Sequence, residues 1–215
     1  MVMMTMVLEL LASKLGRNDE RPNIELAERI CKLADRNGIG EILLGMKSGD
    51  VAVANDCIKV LYEVGQREPT LISDYANDFI SALASKNNRL VWGSMTALAS
   101  ISTVNPKAIF ARLPEIYEAY ANGSVITVDN SISVFAQICK ANDEYNTKVF
   151  PILIEHILSC RAKEVPQHAE RIEICINSDN KQVFIGALET RIAELSQSQS
   201  HRVKKVLKRL KAIDS

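Results

Sequence analysis

A chain of 215 residues that is 47% hydrophobic, 24% charged and only 5% aromatic can fill an extended core, but lacks the aromatic stock on which β-sandwiches lean. Its formal net charge is zero, which excludes a global field drawing it to nucleic acid or an anionic membrane. Five cysteines, an odd number with no CxxC pair, fit thiols kept reduced in a cytoplasmic location.

The opening segment, MVMMTMVLELLASKL, has no basic residue before Lys14 and carries Glu9 inside its apolar run, which argues against a signal peptide. No uninterrupted apolar run approaches the roughly 18 residues of a membrane span. Met3 to Leu15 reads as a first helix, paired after a polar loop containing Pro22 with a second from Asn23 to Arg36, where Ile30 and Leu33 point inward. The second pair is Ile39 to Lys47, stopped by Ser48, Gly49 and Asp50, and a longer helix with Val53, Cys57, Val60, Leu61 and Val64 on one apolar stripe. The third pair begins at Pro69, a residue suited to a first helical turn. It runs through Leu71, Ile72, Phe79, Ile80 and Leu83, then returns from Leu90 to Thr103. The fourth starts at Pro106, passes Ile109, Leu113, Ile116 and Tyr120, and returns from Val125 to Ala141. The fifth covers Thr147 to Arg161 and Lys163 to Asn177, and the sixth Lys181 to Ser196 and Ser200 to Ile213. No linker is long or low in complexity, so one domain is expected, with pairs at about 1–36, 37–66, 67–103, 104–141, 142–177 and 178–215.

The copies keep a common register. Leu61, Leu98, Phe135 and Ile172 are each 37 residues apart, as are Val64, Ile101, Ile138 and Cys175. A period in the high thirties belongs to solenoids, in which a hairpin buries its stripe only against copies of itself. Cys57, Ser94 and Ser131 share the register and are small, which suits the close approach of neighbouring helices. The next copy would turn His168 and Arg171 inward. A one-residue slip onto Ala169, Ile172 and Ile176 restores an apolar stripe there.

The segment NGIGEILLGMKSGD followed by ANDCIKVLYEV resembles an armadillo repeat, and the later pairs, with Leu113-Pro114 and Phe150-Pro151, resemble the related HEAT repeats. The resemblance implies an all-α, right-handed α-α superhelix of about six pairs and a non-catalytic scaffold that binds a protein partner on its concave face. Armadillo proteins that hold extended peptides carry an Asn near the end of each third helix and a Trp four residues earlier. Here the Asn positions read Glu63, Ser100, Gln137 and Ile174, and the Trp positions Lys59, Thr96, Ser133 and Glu170. That ladder is absent, so no binding residue transfers. The residues expected to line the concave face are Asn55, Lys59, Trp92, Thr96, Asp129, Ser133 and Gln137.

Trp92, the only tryptophan, stands beside Val91 and off the stripe of Leu90, Ser94, Ala97, Leu98 and Ile101. It is either a core residue or the anchor of an interface, since aromatic residues dominate interface energetics. The end of the chain is basic: Arg202, Lys204, Lys205, Lys208, Arg209 and Lys211 against Asp214 leave the tail at +5 and the body at −5. This helix is a solvated cap with Val203, Val206, Leu207 and Leu210 inward, or a patch for phosphates that makes nucleic acid the alternative partner. No cofactor, metal or membrane partner is expected. Gly38-Ile39-Gly40 lacks the third glycine and the preceding strand of a dinucleotide loop. His156, His168 and His201 show no metal-ligand spacing, no nucleophile sits in an elbow, and Asn122-Gly123-Ser124 reads as a turn.

Overall fold

The computed structural model describes residues 6–212, and among these every regular element is a helix. The chain divides into two compact units, Met1–Ser131 and Ile132–Ser215, with the division falling inside one helix.

The first unit contains α1 (Arg21–Leu33), α2 (Arg36–Met46), α3 (Val51–Arg67), α4 (Ala76–Ala82), α5 (Asn88–Ile101), α6 (Pro106–Phe110), α7 (Leu113–Ala121) and the first part of α8 (Val125–Ala141). Its helix starts are written in short polar residues. Asp35 accepts the Gly38 amide to cap α2, Asp50 accepts those of Ala52 and Val53 to cap α3, Asn87 accepts that of Arg89 to cap α5, and Asn105 opens α6 ahead of Pro106. Side-chain caps of this kind satisfy amides that have no partner within the helix.

Three expectations for this unit need correction. The opening segment is not a helix from Met3 to Leu15. Among the described residues it holds one 3-10 turn, Val7–Leu10, and then further turns, while Met3 to Thr5 lie outside them. The reason is tertiary: the Val7, Ala12 and Ser13 amides donate to Glu41, Asn23 and Asp56 at 3.1, 2.9 and 2.7 Å, bonds that replace part of an i→i−4 ladder. Leu33 points outward at 62% exposure, because α1 ends there on Ala34 in the left-handed conformation (φ 47°). The first helices of the third and fourth pairs are broken. Pro69–Leu71 and Ser73–Tyr75 are 3-10 turns ahead of α4, and the fourth pair restarts at α7, where Pro114 lacks the amide needed to continue α6. Leu71, Ile72, Phe79, Ile80, Ile109 and Ile116 are buried as expected, whereas Leu113 and Tyr120 are half-buried.

The second unit holds the remainder of α8, α9 (Asp143–Ser159), α10 (Val165–Ile172) with a 3-10 turn Glu173–Cys175, α11 (Lys181–Arg191) with a turn Ile192–Glu194, and α12 (Gln197–Lys211). Asn142 caps α9, and Ser196 and Gln199 form a reciprocal capping box on α12.

The 37-residue register is real in burial. Leu61, Leu98, Phe135 and Ile172 are each 0% exposed, and Val64, Ile101, Ile138 and Cys175 reach at most 4%. The slip expected in the last copy is not needed. His168 is as fully buried as Cys57, Ser94 and Ser131, Ile176 is half-exposed, and Arg171 is half-buried and donates to Ser133 Oγ at 3.0 Å. One of the small residues, Cys57, acts differently from expectation. α3 and α5 approach closely at Gly93, where a Cβ would lie 2.6 Å from Ile58 Cγ1, and at Gly65, where one would meet Ser100. Cys57 instead faces Gly45 of α2.

Candidate binding surface on the longer helices

In the first unit α3 and α5 pack side by side, and one charged network lies along them. Lys59 donates to Glu63 at 2.7 Å and pairs with Glu20, at the start of α1, at 3.1 Å. Arg67 donates to Glu63 and pairs with Glu28 at 3.3 Å, and Arg89 of α5 donates to Glu20. Lys59 is only 7% exposed and its ammonium lies 4.8 Å from the Tyr62 ring centroid. It was expected to line an open surface and is instead consumed inside the protein, because burying an ammonium is tolerated only where carboxylates surround it. Burial disfavours its charge, yet the bonds to Glu63, Tyr62 and Glu20 outweigh this and hold its pKa above the ordinary value. Burial likewise raises Glu20 and Glu63. The cations Arg89 and Lys59 on the former, and Lys59 and Arg67 on the latter, more than offset that, and both carboxyls are held below their usual range.

Trp92 sits at the edge of this network and is half-buried. Its ring lies 5.7 Å from that of Tyr62, tilted by 46°, and the Arg89 guanidinium is 5.4 Å from its centroid. Thr96 Oγ1 donates to the Trp92 carbonyl at 2.8 Å and accepts from Asn130 of α8 at 3.1 Å. Asn55 accepts from Asn87 at 2.8 Å, and Asp129 is half-buried on α8. Asn55, Trp92, Thr96 and Asp129 are therefore partly accessible. Ser133 and Gln137, half-buried, belong to the second unit. Sequence reasoning passed over Glu20, Tyr62 and Arg89. The i,i+4 spacing of Lys59, Glu63 and Arg67 signals half of the network, but nothing local points to Glu20. A separate groove of about 660 Å³ in this unit, lined by Leu83, Lys86, Val91, Arg112 and Glu118, also escaped it.

The basic helix α12 buries Val203, Val206, Leu207 and Leu210. Among the described residues three of its cations are paired within the unit: Arg202 with Glu170 at 2.6 Å, Arg209 Nε with Glu173 at 2.6 Å, and Lys211 with Glu189 at 3.2 Å. The bond from Arg202 holds the Glu170 carboxyl below its usual range. Lys204, Lys205 and Lys208 are exposed.

No protein-family model matches the chain, and no curated protein matches its sequence. Solved structures do. A computationally designed armadillo repeat protein for modular peptide recognition superposes with a TM-score of 0.66 at 14% identity, covering 94% of this chain and 97% of that one. A designed armadillo repeat protein in complex with the peptide (KR)4 gives 0.66 at 11% identity over the same shares. An engineered protein gives 0.63 at 19% identity, over 96% of this chain and 97% of its own. The fold is that of an armadillo-type repeat. The all-α solenoid class expected from the 37-residue register is thereby established, and among the described residues no helix is long and apolar enough to cross a membrane.

Proposed function

We propose that this chain is a non-catalytic scaffold that holds a protein partner on the surface of its longer helices, in a cytoplasmic setting that keeps its five thiols reduced. Two of the structurally similar proteins support the reading, one designed for modular peptide recognition and one in complex with (KR)4. The observation that carries it is Trp92: a half-buried indole braced by Tyr62 and Arg89. Rigid aromatic anchors of this kind concentrate binding energy, and bracing lowers the cost of ordering them on association. The partner meets Trp92 with Asn55, Thr96 and Asp129 in the first unit, and Ser133 and Gln137 are the candidates in the second. Lys59 and Glu63, already bonded to each other, offer no clamp for a peptide backbone. No cofactor or membrane enters this reading.

The test is to recover the partner from the source cell with the full chain and measure its affinity for the wild type, Trp92→Ala and Leu44→Ala, Leu44 being an exposed apolar control on α2. Trp92→Ala is expected to weaken binding by at least about tenfold, as interface anchors do, while Leu44→Ala leaves it unchanged. Equal affinities for all three would remove Trp92 from the interface.

A further inference from the structure

In the second unit two of the three histidines come together beside a cysteine. His156 lies in the last turn of α9, Cys160 caps that helix, and His168 lies on α10. The four-residue spacing sets His156 and Cys160 one turn apart at the carboxyl end of α9. The chain then folds back and brings His168 Nδ1 to 2.8 Å from His156 Nε2, with ring centroids 4.7 Å apart. His168 is 0% exposed and His156 5%. The three donor atoms all lie within 4.8 Å of one another, the two rings buried and the Cys160 residue half-buried.

A hydrogen bond between the two imidazoles accounts for the ring pair. It gives no reason for a thiol beside them, whose sulfur lies 3.8 Å from the Ile157 carbonyl, a weak contact, and beside the Arg191 guanidinium. Two imidazole nitrogens and one sulfur are a donor set for a borderline-soft metal and a poor one for Mg²⁺ or Ca²⁺, which take oxygen. The carboxyl end of α9 adds a favourable partial charge for a cation, part of which Arg191 already meets. The Arg191 guanidinium at that same helix end donates to the Cys160 carbonyl at 2.7 Å, and its charge is balanced by Glu194 at 3.0 Å.

We propose that His156, Cys160 and His168 form a three-ligand site for a borderline-soft divalent metal, Zn²⁺ foremost, with water in the fourth position. Tetrahedral zinc, with bonds of about 2.0–2.1 Å to nitrogen and 2.3 Å to sulfur, sets nitrogens about 3.3 Å apart and sulfur about 3.6 Å from each. The two rings need to part by about half an ångström and turn so that both nitrogens face the ion, and the Cys160 side chain, at a helix end, closes the remaining gap by rotation. Binding exchanges the imidazole hydrogen bond for two metal–nitrogen bonds and releases the thiol proton to solvent. The ion would then fasten α9 to α10 in place of the small residues found at the register position of His168 in earlier copies.

The full chain, stripped with a chelator under reducing conditions, is titrated with Co²⁺ and then Zn²⁺. The expected result is one equivalent bound, a thiolate-to-cobalt charge-transfer band displaced by Zn²⁺, and a melting temperature that rises with free metal. Cys160→Ser replaces the sulfur with a hydroxyl that can keep the contacts to the Ile157 carbonyl and Arg191. It is expected to fold, to lose the band and to bind at least about 100-fold more weakly, since even outer-shell changes cost 10- to 100-fold. A wild-type chain with neither band nor metal-dependent melting overturns the proposal. So does a band that survives in Cys160→Ser, which would place the metal on other thiols.

Discussion

The two units bury polar groups in opposite ways. The first hides an ammonium, Lys59, among carboxylates drawn from α3 and from the start of α1, with Arg67 and Arg89 completing an alternation of charge. The second hides an imidazole pair, His156 and His168, and nearby a guanidinium, Arg191, that donates to the Ile157 and Cys160 carbonyls at the end of α9. One arrangement depends on ionised carboxylates and the other largely on carbonyls and ring nitrogens. The same repeat plan therefore tolerates either chemistry, provided each buried charge finds a partner.

The comparison can be broken hardest at Lys59. Lys59→Met removes the charge at the centre of the first network, and stability should fall by about 2–3 kcal/mol. That is less than the 3–5 expected for a fully orphaned buried pair, because Glu63 keeps Arg67 and Glu20 keeps Arg89. Urea unfolding followed by circular dichroism measures it. Loss of less than about 0.5 kcal/mol would show that the network is as weak as a surface pair.

Acid should separate the same contacts. Glu20 and Glu63 have folded-state pKa values below their ordinary ones, so their contribution is fully present above the unfolded value of about 4.5 and is lost as pH falls through the lowered folded values. The melting temperature is expected to drop as pH is taken from about 5 downward, and Glu63→Gln should flatten part of that slope.

A smaller effect of opposite sign is expected at Ser94. Its hydroxyl is buried with no hydrogen-bond partner among the described residues, whereas Ser131 at the same register position donates to the Thr127 carbonyl at 2.8 Å. Ser94→Ala should leave stability unchanged or raise it by up to about 1 kcal/mol, and Ser131→Ala should lower it by about 1 kcal/mol. Parallel denaturant melts of the two variants check this.

The smallest effect is expected at α12. Arg209→Ala removes an exposed pair with Glu173 and should change stability by no more than about 0.5 kcal/mol. With Arg202, Arg209 and Lys211 paired to acids, no affinity for random duplex is expected even at about 50 mM salt, and a salt titration reads it.

These contrasts show what the sequence made legible. Leu61, Leu98, Phe135 and Ile172 were readable as core because burial in a repeat returns at a fixed interval and each is apolar. Helix starts were readable at Asp50 and Pro106, which act through their own backbone neighbourhood. His168 sat on the register, but its polarity argued for a slip. The residue that makes its burial possible, His156, is joined to it by a turn and by no periodic signal. Lys59 misled for the same reason: a charged residue in the middle of α3 reads as solvated until Glu20, 39 positions earlier, is placed beside it. The opening segment failed because its amides are claimed by Glu41, Asn23 and Asp56, contacts that helix periodicity does not encode. Of the candidate surface, Trp92 was legible as unusual, and its brace of Tyr62 and Arg89 was not.

Binding through the braced face of α3 and α5 is tested most directly by hydrogen–deuterium exchange on the full chain with and without the recovered partner. Slowed exchange centred on α5 around Trp92 and on the adjoining turns of α3, and absent from α2 around Leu44, is the expected result. Slowed exchange confined to α12, with α3 and α5 unchanged, would contradict it.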